Sequence, residues 1–294
     1  MSLTLNTLVE DIYKLLDRGV SFTPDPLKLA GMTTNMAKHL TSALASRQGA
    51  REIGKVWFSD LGETCDRKTW YKWYATNKEN LGGNTSFKFL YGNLLEEQVL
   101  YLAKEAGHSV EREQERIEYK HTNGWTISGR IDAIIDGVLV DVKSCSSYAY
   151  KKFTTQGINT TTDSFGYRAQ ISGYNNLLPA FSKENSTKPT FALVDKQNGN
   201  IALVSVEPLS KQDTLSDIDH IGKVVEQVSS NPLMRGYNDV PEGKSGNMKL
   251  GIACSYCPYK WECWPGLKGY AYSTGPMFLT KVVRPPNVFE IEPK

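Results

Sequence analysis

Residues 129–144, GRIDAIIDGVLVDVKS, constrain this chain more than any other stretch. Asp136-Gly137 between two apolar runs is a hairpin signal, because a type I′ turn needs two residues that tolerate positive φ. A turn there sets Ile135 opposite Val138, and the register that follows sets Asp132 opposite Asp141. Side chains alternate between faces along a strand, so Val138, Val140 and Val142 share one face and Asp141 and Lys143 the other. On the first strand Ile131, Ala133 and Ile135 are apolar, and Asp132 faces away from them. Two opposed carboxylates repel and weaken a hairpin. A divalent cation between them removes that repulsion, and a lysine two residues along can hold or polarise a water beside it. The same pattern also describes a solvated polar face on an edge hairpin.

The five cysteines are the second constraint. Cys254, Cys257 and Cys263 form C-x2-C-x5-C within CSYCPYKWEC, while Cys65 and Cys145 stand far away in sequence. An odd, sparse count argues against a disulfide framework. A C-x2-C loop lets two thiolates meet one metal centre, and a third on the next turn nearly closes it. The fourth ligand must come from Cys65 or Cys145. Four thiolates suit zinc or an iron–sulfur cluster, and the spacing alone does not choose between them.

The rest of the composition sets bounds. At 294 residues the chain has room for one large or two small domains. Hydrophobic residues at 40% and charged residues at 22% fit a soluble globular protein rather than a disordered one. The 34 basic and 32 acidic side chains leave a net charge of +2. That excludes the strongly basic class of nucleic-acid binders but permits a local basic groove. No apolar run approaches the ~18 residues that span a bilayer. The N-terminus has neither a basic n-region nor a long apolar h-region, so a cytoplasmic protein without signal peptide or membrane partner is expected.

Along the chain, amphipathic helices are expected around 5–18 and 33–47, separated by a linker containing PDPLKL. LGETCDRKTWYKW (61–73) looks like a helix start capped by Thr64 or Asp66. Residues 75–86 read as a loop. Over 87–106 the positions Phe87, Leu90, Tyr91, Leu94, Leu95, Gln98, Val99, Leu102 and Ala106 form one broad helical stripe. Period-2 segments follow at 109–119, 125–135 and 138–143, with Asn123-Gly124 as a further turn. Helices are expected over 165–178 and 210–229, the latter with Leu215, Ile218, Ile221, Val225 and Val228 inward, and strands over 190–195 and 201–206, joined through Asn198-Gly199. Glu96 and Glu97 both flank the stripe of the long helix, so periodicity does not choose between them. Gln170 and Tyr174, four apart, share a helix face.

In order, these elements and residues resemble the core of the PD-(D/E)xK nuclease superfamily, and within it the RecB/AddB-like branch. The motifs are Gly92-Asn93-Leu94-Leu95-Glu96, Gly129-Arg130-Ile131-Asp132, Asp141-Val142-Lys143 and Gln170-Ile171-Ser172-Gly173-Tyr174. A subset of that branch, including CRISPR-adaptation nucleases and AddB nuclease domains, has an iron–sulfur staple, with one cysteine before the nuclease core and C-x2-C-x5-C after it. Cys65 matches the first and Cys254, Cys257 and Cys263 the rest, which turns the metal question toward a 4Fe–4S cluster. One departure is Glu96, where many relatives have a histidine.

The resemblance implies an α/β fold, with a restriction-endonuclease-like mixed sheet flanked by helices and a stapled helical and loop periphery. It implies an N-terminal helical extension over 1–50 and one iron–sulfur nuclease domain over 51–294, with its core at about 87–206. Glu96, Asp132 and Asp141 would hold Mg²⁺ or Mn²⁺; Lys143 would orient water or stabilise the phosphorane; Gln170 and Tyr174 would contact DNA or order the site. The implied activity is a DNA exonuclease acting at ends in recombination, repair or replication, with DNA and recombination or replication proteins as partners. A structure-specific endonuclease, or a DNA-binding assembly subunit with a vestigial site, is the alternative. Arg67, Lys68, Lys151, Lys152 and Arg168 are candidates to track phosphates, and Tyr148 and Tyr150 to stack on bases.

Overall fold

The computed structural model describes residues 3–17, 22–45, 51–75, 79, 83–178, 187–226 and 235–292. Along the chain run α1 (Leu8–Asp17), α2 (Pro26–Leu44), β1 (Lys55–Trp57), α3 (Asp66–Tyr74) and α4 (Gly83–Glu105). Next come β2 (Val110–Glu111), β3 (Arg116–Lys120), β4 (Thr126–Arg130), β5 (Ala133–Ile135), β6 (Val138–Cys145), α5 (Ser147–Gln156) and α6 (Tyr167–Leu177). Then β7 (Thr190–Asp195), β8 (Ile201–Ser205) and α7 (Lys211–Glu226) precede β9 (Val240–Pro241), β10 (Met248–Lys249), α8 (Ile252–Ser255), α9 (Lys260–Cys263), β11 (Lys268–Tyr272), β12 (Gly275–Lys281) and β13 (Glu290–Ile291).

The chain forms two compact units. The larger comprises Met1–Gly49, Gly54–Gly62 and Gly83–Asp219, and the smaller Ala50–Ile53, Glu63–Gly82 and His220–Lys294. The larger unit contains a five-stranded mixed sheet of order β2-β5-β6-β7-β8, in which only β6 and β7 run parallel. A parallel pair needs a crossover, and α5 and α6 lie between these two strands in sequence. A three-stranded sheet of order β1-β4-β3 accompanies it. The smaller unit has its own antiparallel sheet, β13-β11-β12-β10-β9.

The hairpin forms in the expected register, with Ile135 opposite Val138 and Ala133 opposite Val140. Asp136 (φ 49°) and Gly137 (φ 78°) both take positive φ, as a type I′ turn requires. Asp136 also anchors the turn to the segment after α4: its carboxylate accepts from Ser109 N at 3.0 Å and lies 2.6 Å from His108 Nδ1. Ala133, Ile135, Val140 and Val142 enter one buried cluster with Ala192 and Val194 of β7, Val99, Leu100 and Ala103 of α4, and Leu5, Leu8 and Ile12. Fully burying each large aliphatic side chain contributes roughly 1.5–3 kcal/mol. One face of β6 is therefore committed to the core, and Asp141 and Lys143 take the other.

Several local expectations change. Pro26 begins α2 instead of breaking the chain: Asp25 caps the helix by accepting from Leu27 N at 2.8 Å, and proline at the first helical position has no N–H to lose. Neither Thr64 nor Asp66 caps α3; Cys65 stands at the cap position and Asp66 is the first helical residue. Of the expected stripe on α4 only Val99 is fully buried; Phe87, Tyr91 and Gln98 are exposed, and the face that enters the core carries Val99, Leu100 and Ala103. The segment 125–135 is two strands in different sheets, with the break at Ile131–Asp132. On α7, Ile218, Ile221 and Val225 are buried as expected, while Val228 lies outside the described residues.

Two glycines let α6 dock. Phe58 stacks on Tyr174 at 4.2 Å between centroids. A Cβ at Gly129 would overlap the Tyr174 hydroxyl, and one at Gly173 would lie 2.6 Å from Leu61 Cδ1 and 2.9 Å from Phe58 Cδ1. Gly173→Ala should lower the free energy of unfolding by roughly 1–3 kcal/mol through overpacking, although alanine is the better helix former; denaturant unfolding measures it.

Candidate active site

Three elements of the larger unit bring together the acidic and basic groups singled out above. Asp141 and Lys143 come from β6, on the face opposite Val140 and Val142. Asp132 lies just before β5, where its Oδ2 accepts from Val142 N at 2.7 Å. Glu96 comes from α4. The spacing Gly92-x3-Glu96 has a steric reason: a Cβ at Gly92 would lie 3.3 Å from Ser144 Oγ of β6, so glycine allows the helix to approach the strand one turn before Glu96.

Lys143 Nζ stands 2.6 Å from Asp141 Oδ2. The two meet as an ion pair but not at a hydrogen-bonding angle, so the buried Oδ2 has no hydrogen-bond partner. The electrostatics bear the mark of crowding. Burial, then the charge of Asp141, pushes Glu96 up to about 7. Burial, then Asp141 and Glu96, raises Asp132 well above its ordinary value. For Lys143 burial works to lower the pKa, but Asp141 and Asp132 outweigh it and the ammonium is held above its ordinary value. Burial and then Asp141 raise Tyr174, against the opposing effect of a hydrogen bond with Gln170. Glu96, Asp132, Asp141, Lys143, Gln170 and Tyr174 thus form one connected set.

Glu97 belongs elsewhere. It is 2% exposed and accepts from Asn35 Nδ2 at 3.1 Å, with His39 Nε2 also at 3.1 Å, so it ties α4 to α2. One residue of the site carries no sequence signal. Gln114 donates through its side chain to Glu96 and through its backbone N to Asp132 O at 3.1 Å. Its φ of 53° lies in the left-handed region that most side chains avoid. It joins two of the acidic residues from a loop that periodicity cannot read.

The candidate phosphate contacts are mostly engaged within the protein. Lys152 Nζ donates to Thr162 O at 2.7 Å and Arg168 Nε to Glu207 O at 2.8 Å. Lys68 pairs with Glu63 at 2.5 Å, and Arg67 reaches the Tyr71 hydroxyl at 3.3 Å. Lys151 and Tyr148 are exposed on α5.

The smaller unit gathers the other set. Cys65, Cys254, Cys257 and Cys263 are all half-buried. Burial raises Cys254, and the charges of Cys263 and Cys65 add to it. Burial likewise pushes Cys257 up to about 11, with Cys254 and Cys263 contributing. Gly236 closes on the first cysteine, where a Cβ would lie 3.0 Å from Cys65 Cα. Cations surround the thiols: Arg235 donates to Cys263 O at 2.8 Å, Arg67 acts on Cys263 and Lys68 on Cys257. Cys145 is separate, buried at the end of β6, with burial pushing its thiol up to about 11. Among the described residues, no three His, Cys, Asp or Glu side chains stand close enough together to hold one metal ion.

Residues 99–231 match the family model of a PDDEXK-like domain of unknown function (DUF3799). The match covers under half of the chain. It begins just after Glu96, takes in Asp132, Asp141, Lys143, Gln170 and Tyr174, and leaves out all four clustered cysteines. It supports the PD-(D/E)xK superfamily, and the mixed sheet with flanking helices fits that fold. A PDDEXK-like domain points to nuclease chemistry in general, and so to DNA as a partner. The crystal structure of SSO0001 is similar at a TM-score of 0.44 and 16% identity, over 78% of this chain and 91% of that one. No curated protein matches. Among the described residues no helix is long and apolar enough to cross a membrane.

The raised pKa of Glu96 has a consequence for stability. Between its ordinary value of 4.5 and about 7 the folded state binds a proton that the unfolded state has released. Stability of the metal-free protein should therefore fall as pH rises through that window, by up to ~1.4 kcal/mol per pH unit for each such proton. Glu96→Gln should flatten the slope in urea unfolding performed from pH 4.5 to 7; an unchanged slope would show that Glu96 is not so perturbed.

Proposed function

We propose that the chain is a metal-dependent DNA exonuclease that hydrolyses phosphodiester bonds at DNA ends, in recombination, repair or replication, with a 4Fe–4S cluster in its smaller unit. The observation that carries the reading is the face of β6: Asp141 and Lys143 side by side, with Asp132 and Glu96 crowded against them and Asp141 Oδ2 lacking a hydrogen-bond partner. The donor set is all carboxylate, which suits Mg²⁺ or Mn²⁺. Glu96, Asp132 and Asp141, which do not stand at ligand distance from one point in this structure, would have to close on the ion, which when bound activates water and neutralises charge on the phosphate.

The chain's own residues then have separate tasks. Lys143, held protonated by Asp141 and Asp132, is a charge donor rather than a proton acceptor, and it stabilises the phosphorane or orients the attacking water. Glu96, raised to about 7 in the metal-free site, would give up that proton on binding the ion. Tyr174 remains a neutral phenol that with Gln170 orders the site beside Asp141.

The cluster reading rests on charge. Cys254, Cys257 and Cys263, whose pKa values burial raises, have as neutral thiols no need of counter-charge, yet the charges of Arg67 and Arg235 act on Cys263 and that of Lys68 on Cys257. Bound iron or zinc would turn those thiols into thiolates, and the cations would then balance a net negative centre. The resemblance to the stapled branch, with one cysteine before the core and C-x2-C-x5-C after it, favours iron–sulfur.

The first test is a cleavage assay on anaerobically purified protein, with end-labelled linear single- and double-stranded DNA, closed circles, and Mg²⁺, Mn²⁺ or EDTA. Metal-dependent loss of linear DNA alone is expected, and Lys143→Met should slow it by roughly 10²- to 10³-fold. Cutting of circles would make the enzyme an endonuclease, and no cleavage in any lane would overturn the reading. Cys257→Ser should abolish bound iron and the brown colour of the purified protein; zinc in place of iron in the wild type would refute the cluster.

A further inference from the structure

The aromatic row beside Lys143 is not used by the chemistry above. Tyr167, the first residue of α6, has its ring 5.3 Å from Lys143 Nζ. On the inner side its ring packs near Phe191 at 6.1 Å and edge-on to Phe153 at 6.4 Å. On the outer side Phe165 lies 5.4 Å away, inclined by 31°. Tyr167 is half-buried, whereas Phe165 is 64% exposed. The row therefore runs from the catalytic lysine to solvent.

Phe165 is held in that position by its loop. Asp163 clamps both sides of it, accepting from Phe165 N at 3.1 Å and from Arg168 N at 2.8 Å. Gly166 takes φ 76°, and a Cβ there would lie 2.7 Å from Leu61 O, so the chain after Phe165 is closely fitted. Upstream, Thr162 Oγ1 donates to Gly157 O at 2.7 Å, and Lys152 Nζ donates to Thr162 O at 2.7 Å. A loop tied this firmly presents an apolar ring to water where it would gain by turning inward. Exposed aromatic rings on a rigid frame, beside a centre that handles phosphate, are the form of a base-stacking platform.

We infer that Phe165 stacks on an unpaired base next to the scissile phosphate, and so gives the site a preference for single-stranded DNA ends. The inference rests on the nuclease reading above. A base inside a duplex is already stacked on its neighbours and offers no free face to the ring; an unpaired base does. Lys152, whose ammonium holds the loop at Thr162 O, positions Phe165, and Arg168 contributes to the loop through its backbone N.

The test compares wild type with Phe165→Ala, Phe165→Leu and Phe165→Trp on single-stranded and duplex DNA, with thermal unfolding as the check on folding. A second substrate has an abasic nucleotide beside the cleaved bond. Phe165→Ala and Phe165→Leu should raise KM for the single strand about tenfold, change kcat little and leave duplex cleavage as it is. Phe165→Trp should restore KM. The abasic substitution should cost wild type about tenfold and Phe165→Ala nothing, an outcome that a merely structural role would not produce. Wild-type cleavage of single strands with no effect of Phe165→Ala would overturn the stacking proposal and leave the nuclease standing. A wild type that neither cleaves nor binds any DNA would overturn the nuclease reading itself, and the wild-type arm shows this separately.

Discussion

β6 runs through the middle of the larger sheet, and its two faces have opposite surroundings. Val140 and Val142 are packed among α4, α1 and β7, and this fixes the register of the strand. A slip of one residue would bury Asp141 and Lys143 in the apolar cluster, which is prohibitively costly for charged groups. The hydrophobic side thus determines where the charged side lies. Asp132 follows from the same register through the Asp136-Gly137 turn, and Glu96 from the approach of α4 that Gly92 permits.

What the sequence makes legible is local and periodic. The hairpin could be read because turn chemistry and alternation agree at every position. The helices over 167–177 and 211–226 could be read because apolar spacing marks them. Glu96 and Glu97 could not be told apart by periodicity, since the difference lies in what faces each: Asp141 and Lys143 for one, Asn35 and His39 for the other. Gln114 was invisible because its backbone conformation is imposed by two distant partners. α5 has no clean stripe, and in the smaller unit strands as short as Met248–Lys249 leave no pattern to find.

The two units solve similar electrostatic problems with different atoms. In the larger, three carboxylates crowd one place and Lys143 offsets them. In the smaller, half-buried cysteines act on one another's charge, and Arg67 and Arg235 at Cys263 and Lys68 at Cys257 act against it. Each cluster has its cations built into the adjoining backbone segment: Lys143 is two residues from Asp141, and Lys68 is three from Cys65.

The smaller unit is assembled from segments that the ribosome makes far apart in time. Cys65 and the start of α3 emerge before the Gly83–Asp219 segment of the larger unit, and Cys254 follows about 190 residues later. At roughly 5–20 residues per second, that is a wait of about 10–40 s. During it the larger unit can fold as an excursion from an unfinished neighbour, while Cys65 waits for its three partners in the C-x2-C-x5-C segment. The smaller unit is therefore completed only after the larger one, and a chain truncated between α7 and Cys254 would have the whole acidic site and an open thiol set.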